Sequence, residues 1–310
     1  MADREAIDRV AADLARHAGR RLRRAFPLAP LTSFRLGGPA ALYLEVLSIE
    51  DLEAAGAALE GTEVPVLVIG KGSNLLVSDD GFPGLVLRLG RPFRWSARDG
   101  NRLTAGGAMP LPALAGVALT HHLAGLEFGV AIPASLGGSV RMNAGAHGHA
   151  LDEVLERIEV FVLPERSTRT LAAADAGFGY RTSALPAGGV VTAATAALRP
   201  GDPAEIRARM DEARDWRRRT QPLAEPNCGS VFKNPPGHHA ARLIEEADGK
   251  ALSVGGARVS EKHANFVIAG PGARAADVDR LIRLVQERVL ERSGVALETE
   301  VHRVGRFDAP

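Results

Sequence analysis

The sequence predicts a three-domain α+β chain, on three observations. Short β-branched and leucine-rich runs alternate with helical stretches between residues 40 and 200. A glycine-rich, charge-poor segment at 126–149 interrupts them, and its lack of charge marks a buried loop rather than a linker. RPGDP at 199–203 is a boundary signal, after which charged and amphipathic helices alternate with glycine-rich loops. We expect an N-terminal helix within 1–30, two lobes at about 31–90 and 91–200, and a C-terminal α/β domain at 201–310.

The elements follow in order. Residues 5–24 alternate charge and alanine at helical spacing, and Pro27 and Pro30 break the run. Residues 40–46 and 64–70 are strands around a helix at 50–60, and 85–90 and 102–108 are two more short strands. Residues 111–124 form an alanine-rich helix with Leu111, Leu114, Val117, Ala118 and Leu123 on its apolar positions. Strands are expected at 157–163 and 190–198, and a highly charged helix at 204–219. A helix at 239–247, a strand at 264–269 and a long helix at 275–293 complete the chain. In the last, Val278, Leu281, Ile282, Val285 and Val289 repeat at +3 and +4, and Gly294 is the expected C-cap.

Composition excludes several classes. Among 310 residues, 45% are hydrophobic and 24% charged, as in ordinary globular chains. With 38 basic against 37 acidic residues no field of one sign arises, so neither nucleic acid nor a membrane surface is an expected partner. A single cysteine, Cys228, excludes an internal disulfide framework. No apolar run reaches the roughly 20 residues of a membrane helix, and the charged N-terminus lacks a signal-peptide core. We therefore expect a cytoplasmic protein with no obligate protein partner.

Only four of the basic residues are lysine, Lys71, Lys233, Lys250 and Lys262, and three of the four sit in Gly- or Asn-containing motifs. A lysine retained in an arginine-rich chain suggests need for a compact ammonium. There are six asparagines, and Asn74, Asn143, Asn234 and Asn265 fall in the same stretches.

Five motifs can carry chemistry. In VIGKGSNLLVSDDG (68–81) a strand leads into Gly70, Lys71, Gly72, Ser73 and Asn74. Successive N–H groups there form an anion nest suited to a pyrophosphate, and a plain tight turn is the competing explanation. GLEFGVAIPASLGGSVRMNAGAHG (125–148) suits laying backbone donors along an extended ligand, against a compact Ω-type loop. In FGYRTS, Arg181 can hold a carboxylate bidentately or cap a helix. In CGSVFKNPPG, Ser230 lies close to Lys233 and Asn234, and Cys228 competes as a nucleophile without a partner pattern. In LETEVHRVG, Glu298 and Glu300 share one face of a strand, as functional groups or as a solvated edge. The paired histidines show no metal-ligand spacing, so no metal site is expected.

These blocks, with TSFRLGGPA (32–40), ARLIEEADGK (241–250) and VSEKHANFVI (259–268), occur in an order that resembles the UDP-N-acetylenolpyruvoylglucosamine reductase family over about 30–305. The resemblance implies a two-lobed FAD-binding module of the PCMH or vanillyl-alcohol-oxidase type, followed by a substrate-binding domain. It implies non-covalent FAD, with NADPH as hydride donor and a UDP-sugar substrate. FAD contacts are implied at Gly70, Lys71, Gly72, Ser73, Asn74, Leu75, Pro133, Ala134, Ser135, Gly137, Gly138, Asn143 and Ala144. Arg181, Ser230 and Glu300 match the family's catalytic positions, and Lys233 and Asn234 are the expected substrate contacts. The only tyrosines are Tyr43 and Tyr180, so the chain resembles the branch without a tyrosine-bearing lid.

The implied reaction reduces an enolpyruvyl ether to a lactyl ether in peptidoglycan precursor synthesis. Hydride addition at C3 builds charge toward the attached carboxylate, where preorganised donors act most strongly. Arg181 suits that site as a fixed fork, and Glu300 helps there when it carries its proton. Ser230 is the expected proton donor to C2, where position outweighs acidity. A sugar or alcohol oxidase on the same module, and a nucleotide sensor without turnover, are the alternatives.

Overall fold

The computed structural model describes residues 4–307. The outermost residues of the expected 1–30 and 201–310 segments lie outside the described residues. The chain resolves into two compact units that are not contiguous in sequence. One gathers the chain up to Arg24, Leu42–Lys71 and Pro83–Trp216; the other gathers Ala25–Ala41, Gly72–Phe82 and the chain from Arg217 onward.

The first unit holds two cores. Helices Arg4–Ala18 and Ile49–Leu59 bury Val10, Leu14, Leu52 and Ala55 against Leu42, Leu44, Leu85 and Leu87. Those leucines come from the strands Pro39–Val46 and Phe82–Leu89. The four-stranded sheet runs Leu22–Pro27, Pro39–Val46, Phe82–Leu89, Val66–Val68, with the last pair parallel. The first helix is shorter than the expected 5–24. It ends at Ala18, because Gly19 takes a φ of +55°, and the chain re-enters as an edge strand.

The second core is built on a five-stranded antiparallel sheet in the order Ser167–Ala172, Leu155–Val162, Gly189–Ala197, Arg102–Gly106, Ser96–Asp99. Side chains alternate across a strand, so Val160 and Val162 enter this core while Phe161 enters the other. Both faces are thus covered, which explains why every residue from Gly189 to Ala196 is buried. Helix Leu111–Thr120 packs Leu111, Leu114 and Ala118 on the same core. So does Pro203–Thr220, through Ile206, Met210 and Ala213, although the sequence expectation opened the C-terminal domain with it.

The second unit has one core around helix Ala275–Ser293, which buries Val278, Leu281, Ile282, Val285 and Val289 as its spacing predicted. Each such side chain contributes about 1.5–3 kcal/mol on full burial. The N-terminus of this helix is satisfied from elsewhere in the chain. Asp79 Oδ1 accepts the Ala275 N–H at 2.9 Å and Oδ2 the Ala276 N–H at 3.0 Å. Gly294, at φ +70°, donates to Leu290 and closes the other end. A three-stranded antiparallel sheet, Ser253–Val254, Ala257–Val259 and Val267–Ala269, faces the same core. Strand His302–Val304 pairs in parallel with Leu75–Val77.

Candidate active site

Within the first unit lies an open cleft of about 270 Å³. One wall is the run from Val66 to Lys71; the other includes Ser135, Gly137 and Gly138. Glycine lets the walls approach closely. A Cβ on Gly70 would overlap the Ser135 hydroxyl, and one on Gly107 would overlap the Val191 carbonyl. Among the described residues, the N–H groups of Gly70 and Lys71 donate to no protein acceptor. Four cations line the cleft, Lys71, Arg88, Arg94 and Arg141, and no carboxylate does. Arg141 donates to the carbonyls of Leu185 (3.2 Å) and Gly189 (2.9 Å), and its burial lowers its pKa. Apolar surface comes from Leu67, Val68, Leu89, Leu163 and Val191. An extended dinucleotide with a diphosphate and a flat ring fits this donor set, so the residues present fit FAD.

The YR motif forms a two-residue turn in the same unit. Gly179 and Thr182 exchange backbone hydrogen bonds of 3.1 and 3.2 Å around Tyr180 and Arg181. Arg181 sits at φ +57°, which a non-glycine residue adopts only under constraint. Its guanidinium donates to the Gly145 carbonyl at 2.8 Å and lies 5.0 Å from the Tyr180 ring centroid. A guanidinium oriented by such a bond is a fork of the shape that a carboxylate accepts.

In the second unit the GSVFKN segment is held on both sides. Asn265 brackets Phe232, its Oδ1 accepting the Phe232 N–H (2.9 Å) and its Nδ2 donating to the Phe232 carbonyl (2.8 Å). On the other side Glu300 N–H donates to Val231 (2.7 Å) and Lys233 N–H to Glu298 (2.9 Å), with Thr299 bridging to Phe232. These bonds put Ser230 and Glu300 on adjacent segments. Lys233 Nζ pairs with Glu298 Oε1 at 2.5 Å, the carboxylate being 71% exposed. Burial, and then the Lys233 charge, lowers the pKa of His302. Burial, reinforced by Glu300, pushes the Cys228 thiol up, so it is a neutral side chain and no nucleophile.

The residues expected from sequence divide accordingly. Gly70, Lys71, Ser135, Gly137 and Gly138 line the cleft. Pro133 and Ala134 are not among its lining residues, and the Ala134 carbonyl accepts the Leu111 N–H. Asn143 and Ala144 lie beside the Arg181 turn: Asn143 donates to the Gly179 carbonyl, and Ala144 N–H bonds to Ser139. Gly72, Ser73, Asn74 and Leu75 continue into the second unit, where Leu75 joins the strand beside His302. Asn234 accepts the Ala240 N–H and so caps helix Ala240–Glu246. The segment at 126–149 is not all loop, since Leu136–Arg141 is helical. Sequence reasoning did not find Arg88, Arg94, Gly107, Arg141 or Gly188–Gly189 in the cleft. Arg141 follows the GGSV run directly, the one local hint available. Among the described residues no group of His, Cys, Asp or Glu is arranged to hold a metal, and no helix is long and apolar enough to cross a membrane.

Comparison with known proteins bears on both units. Residues 40–165 match a family described as FAD binding domain, and 221–304 match one described as UDP-N-acetylenolpyruvoylglucosamine reductase, C-terminal domain. A UDP-N-acetylenolpyruvoylglucosamine reductase from Anaeromyxobacter sp. (strain Fw109-5) is 46% identical over 91% of this chain and 88% of its own length. One from Synechococcus sp. (strain JA-3-3Ab) is 42% identical over 97% and 96%. The crystal structure of the Thermus caldophilus reductase superposes with a TM-score of 0.80 at 38% identity, covering 92% of this chain and 99% of that one.

Proposed function

The chain belongs to the UDP-N-acetylenolpyruvoylglucosamine reductase family and is an FAD-dependent oxidoreductase, and from that premise we propose that it reduces UDP-N-acetylglucosamine enolpyruvate to UDP-N-acetylmuramate, with NADPH as the hydride source. The reaction belongs to peptidoglycan precursor synthesis. A cytoplasmic setting goes with its nucleotide-linked substrate. The observation that carries the reading is the cleft whose lining holds four cations, six glycines and no carboxylate, within and around the stretch that matches an FAD-binding domain. That composition favours a diphosphate held between main-chain walls.

FAD supplies, when bound, the capacity to accept hydride from the nicotinamide and to deliver hydride to carbon. Everything else falls to the protein. Lys71, with the N–H groups of Gly70 and its neighbours, is the proposed diphosphate grip. Arg181 is the proposed fork on the substrate carboxylate, where charge builds as C3 is reduced, worth about 3–4 kcal/mol for one well-placed donor. Glu300, carrying its proton, is proposed for the same role. Ser230 Oγ is the proposed proton donor to C2, on a segment too firmly bonded to drift. Lys233 and Asn234 are the proposed contacts for the rest of the UDP-sugar. The division into an N-terminal helix, a module at 31–200 and a substrate domain from 201 remains our functional partition of the chain.

The test is spectroscopic. We expect yellow protein with about one flavin per chain, bleached anaerobically by NADPH and recoloured by the enolpyruvyl substrate. Recolouring by oxygen alone, with the substrate inert, would instead select an oxidase.

A further inference from the structure

Asparagine is scarce in this chain, yet it recurs beside the proposed catalytic residues. Asn143 is 3% exposed, and both ends of its amide are spent on main chain. Nδ2 donates to the Gly179 carbonyl (3.1 Å) and Oδ1 accepts the Asp152 N–H (3.0 Å). Gly179 closes the turn that carries Arg181, and the Gly145 carbonyl two residues beyond Asn143 receives the Arg181 guanidinium. Asn265 is 4% exposed, brackets Phe232 through both ends of its amide, and accepts the Val231 N–H on its own carbonyl (2.9 Å). Ser230 immediately precedes Val231. Asn74 Nδ2 donates to the carbonyl of Glu300 itself (3.0 Å), and the Asn74 carbonyl accepts the His302 N–H (3.0 Å).

We propose that Asn143, Asn265 and Asn74 are positioning residues, one each for Arg181, Ser230 and Glu300. Asn74 and Asn143 then act on the protein's own main chain rather than on the cofactor. The chemistry explains the residue type. An asparagine amide donates and accepts at once over a short, stiff stem. Aspartate keeps the shape and the acceptor but cannot donate to a carbonyl, and glutamine moves the amide by a methylene. The chain reaches from each asparagine to a segment that is distant in sequence, by 36, 33 and 226 residues, so each bond fixes one catalytic segment against another part of the same unit. Arg181 holds φ +57°, a conformation that an arginine keeps only where the surroundings enforce it, while Asn143 at +41° adopts one that asparagine tolerates readily.

The inference rests on the proposed roles of Arg181, Ser230 and Glu300, and the experiment separates the two. Asn143→Ala and Asn74→Ala are prepared as flavin-loaded enzymes, with Arg181→Lys and the Arg181→Lys/Asn143→Ala double variant beside them. We expect both alanine variants to keep their flavin and their rate of flavin reduction by NADPH. Substrate reduction should fall by about 10- to 100-fold, the scale of a sub-ångström to ångström misplacement of a reacting group. The double variant should be no slower than Arg181→Lys alone, because residues that act as a unit do not add. Loss of flavin from a folded Asn74→Ala or Asn143→Ala protein, equal losses in both half-reactions, or multiplying losses in the double variant would overturn the proposal. Arg181→Lys at full rate would sink the catalytic reading itself. If an alanine variant does not fold, the isosteric Asn→Asp change decides, with the same split between half-reactions expected.

Discussion

The cleft of the first unit and the GSVFKN block of the second solve recognition by opposite means. The cleft is walled by glycines, of which Gly107 leaves no room for a Cβ against the Val191 carbonyl, and its charge is spread over four long cations. In the block the proposed roles fall to Ser230, Lys233 and Glu300, each on a segment tied down by backbone and asparagine bonds. Walls made of main chain are damaged by adding atoms. A site made of side chains is damaged by removing them. Substitutions in the two units should therefore fail in different ways, and four changes probe that difference from the largest effect to the smallest.

Gly107→Ala should be the most severe. Its Cβ would meet the Val191 carbonyl inside the five-stranded sheet, a backbone atom that cannot swing away. Overpacking of this kind costs about 1–3 kcal/mol, and flavin occupancy should fall with it. Calorimetry and the ratio of visible to ultraviolet absorbance report both, and unchanged values would break the contrast.

Acid stability comes next. Asp51 is 98% buried by side chain, and burial alone would raise its pKa. Hydrogen bonds from Arg21, the Leu47 N–H and His17 overcome that and hold it at about 2, against an ordinary 3.8. A depressed folded-state pKa stabilises above the unfolded value and loses that stabilisation as pH falls from about 4 toward 2. The gap in unfolding free energy between wild type and Asp51→Asn should shrink by on the order of 1–2 kcal/mol between pH 5 and pH 2. A gap constant with pH would contradict this.

Asp79→Ala removes the carboxylate that accepts the first two N–H groups of helix Ala275–Ser293. The expected loss is about 1 kcal/mol in denaturant unfolding of the variant, with flavin content preserved. Smallest is Glu298→Gln. Its exposed pair with Lys233 is worth about 0.2–1 kcal/mol. Releasing the ammonium for a substrate anion should lower KM by about 1.5- to 5-fold and leave flavin reduction alone. A raised KM would mean that Glu298 holds Lys233 ready rather than competing for it.

Much of the fold was legible in the sequence because its strongest periodicities are local. The stripe from Val278 to Val289 and the capping Gly294 marked the last helix to within a residue. The exceptions are places where tertiary packing overrides propensity. Gly137 and Gly138 read as loop yet lie inside helix Leu136–Arg141, a turn that Gly137 packs closely against the Gly107 and Val191 carbonyls. Leu22–Pro27 lacks alternation because it is an edge strand, exposed along most of its length. The two chemical blocks were visible as motifs, but their partners were not. Nothing near Asn74 says that its amide reaches Glu300, 226 residues on. Arg88, Arg94 and Arg141 look like any other arginine in a chain that prefers arginine to lysine, and only the fold gathers them on one cleft.

Separate half-reactions of Ser230→Ala test most directly whether main chain holds the cofactor while a side chain supplies the proton. In anaerobic stopped-flow absorbance, we expect NADPH to bleach the variant at nearly the wild-type rate. Reoxidation by UDP-N-acetylglucosamine enolpyruvate should slow by about 10²- to 10⁴-fold, the contribution of a positioned proton donor. Reoxidation at the wild-type rate, or an equal loss in both steps, would contradict the account.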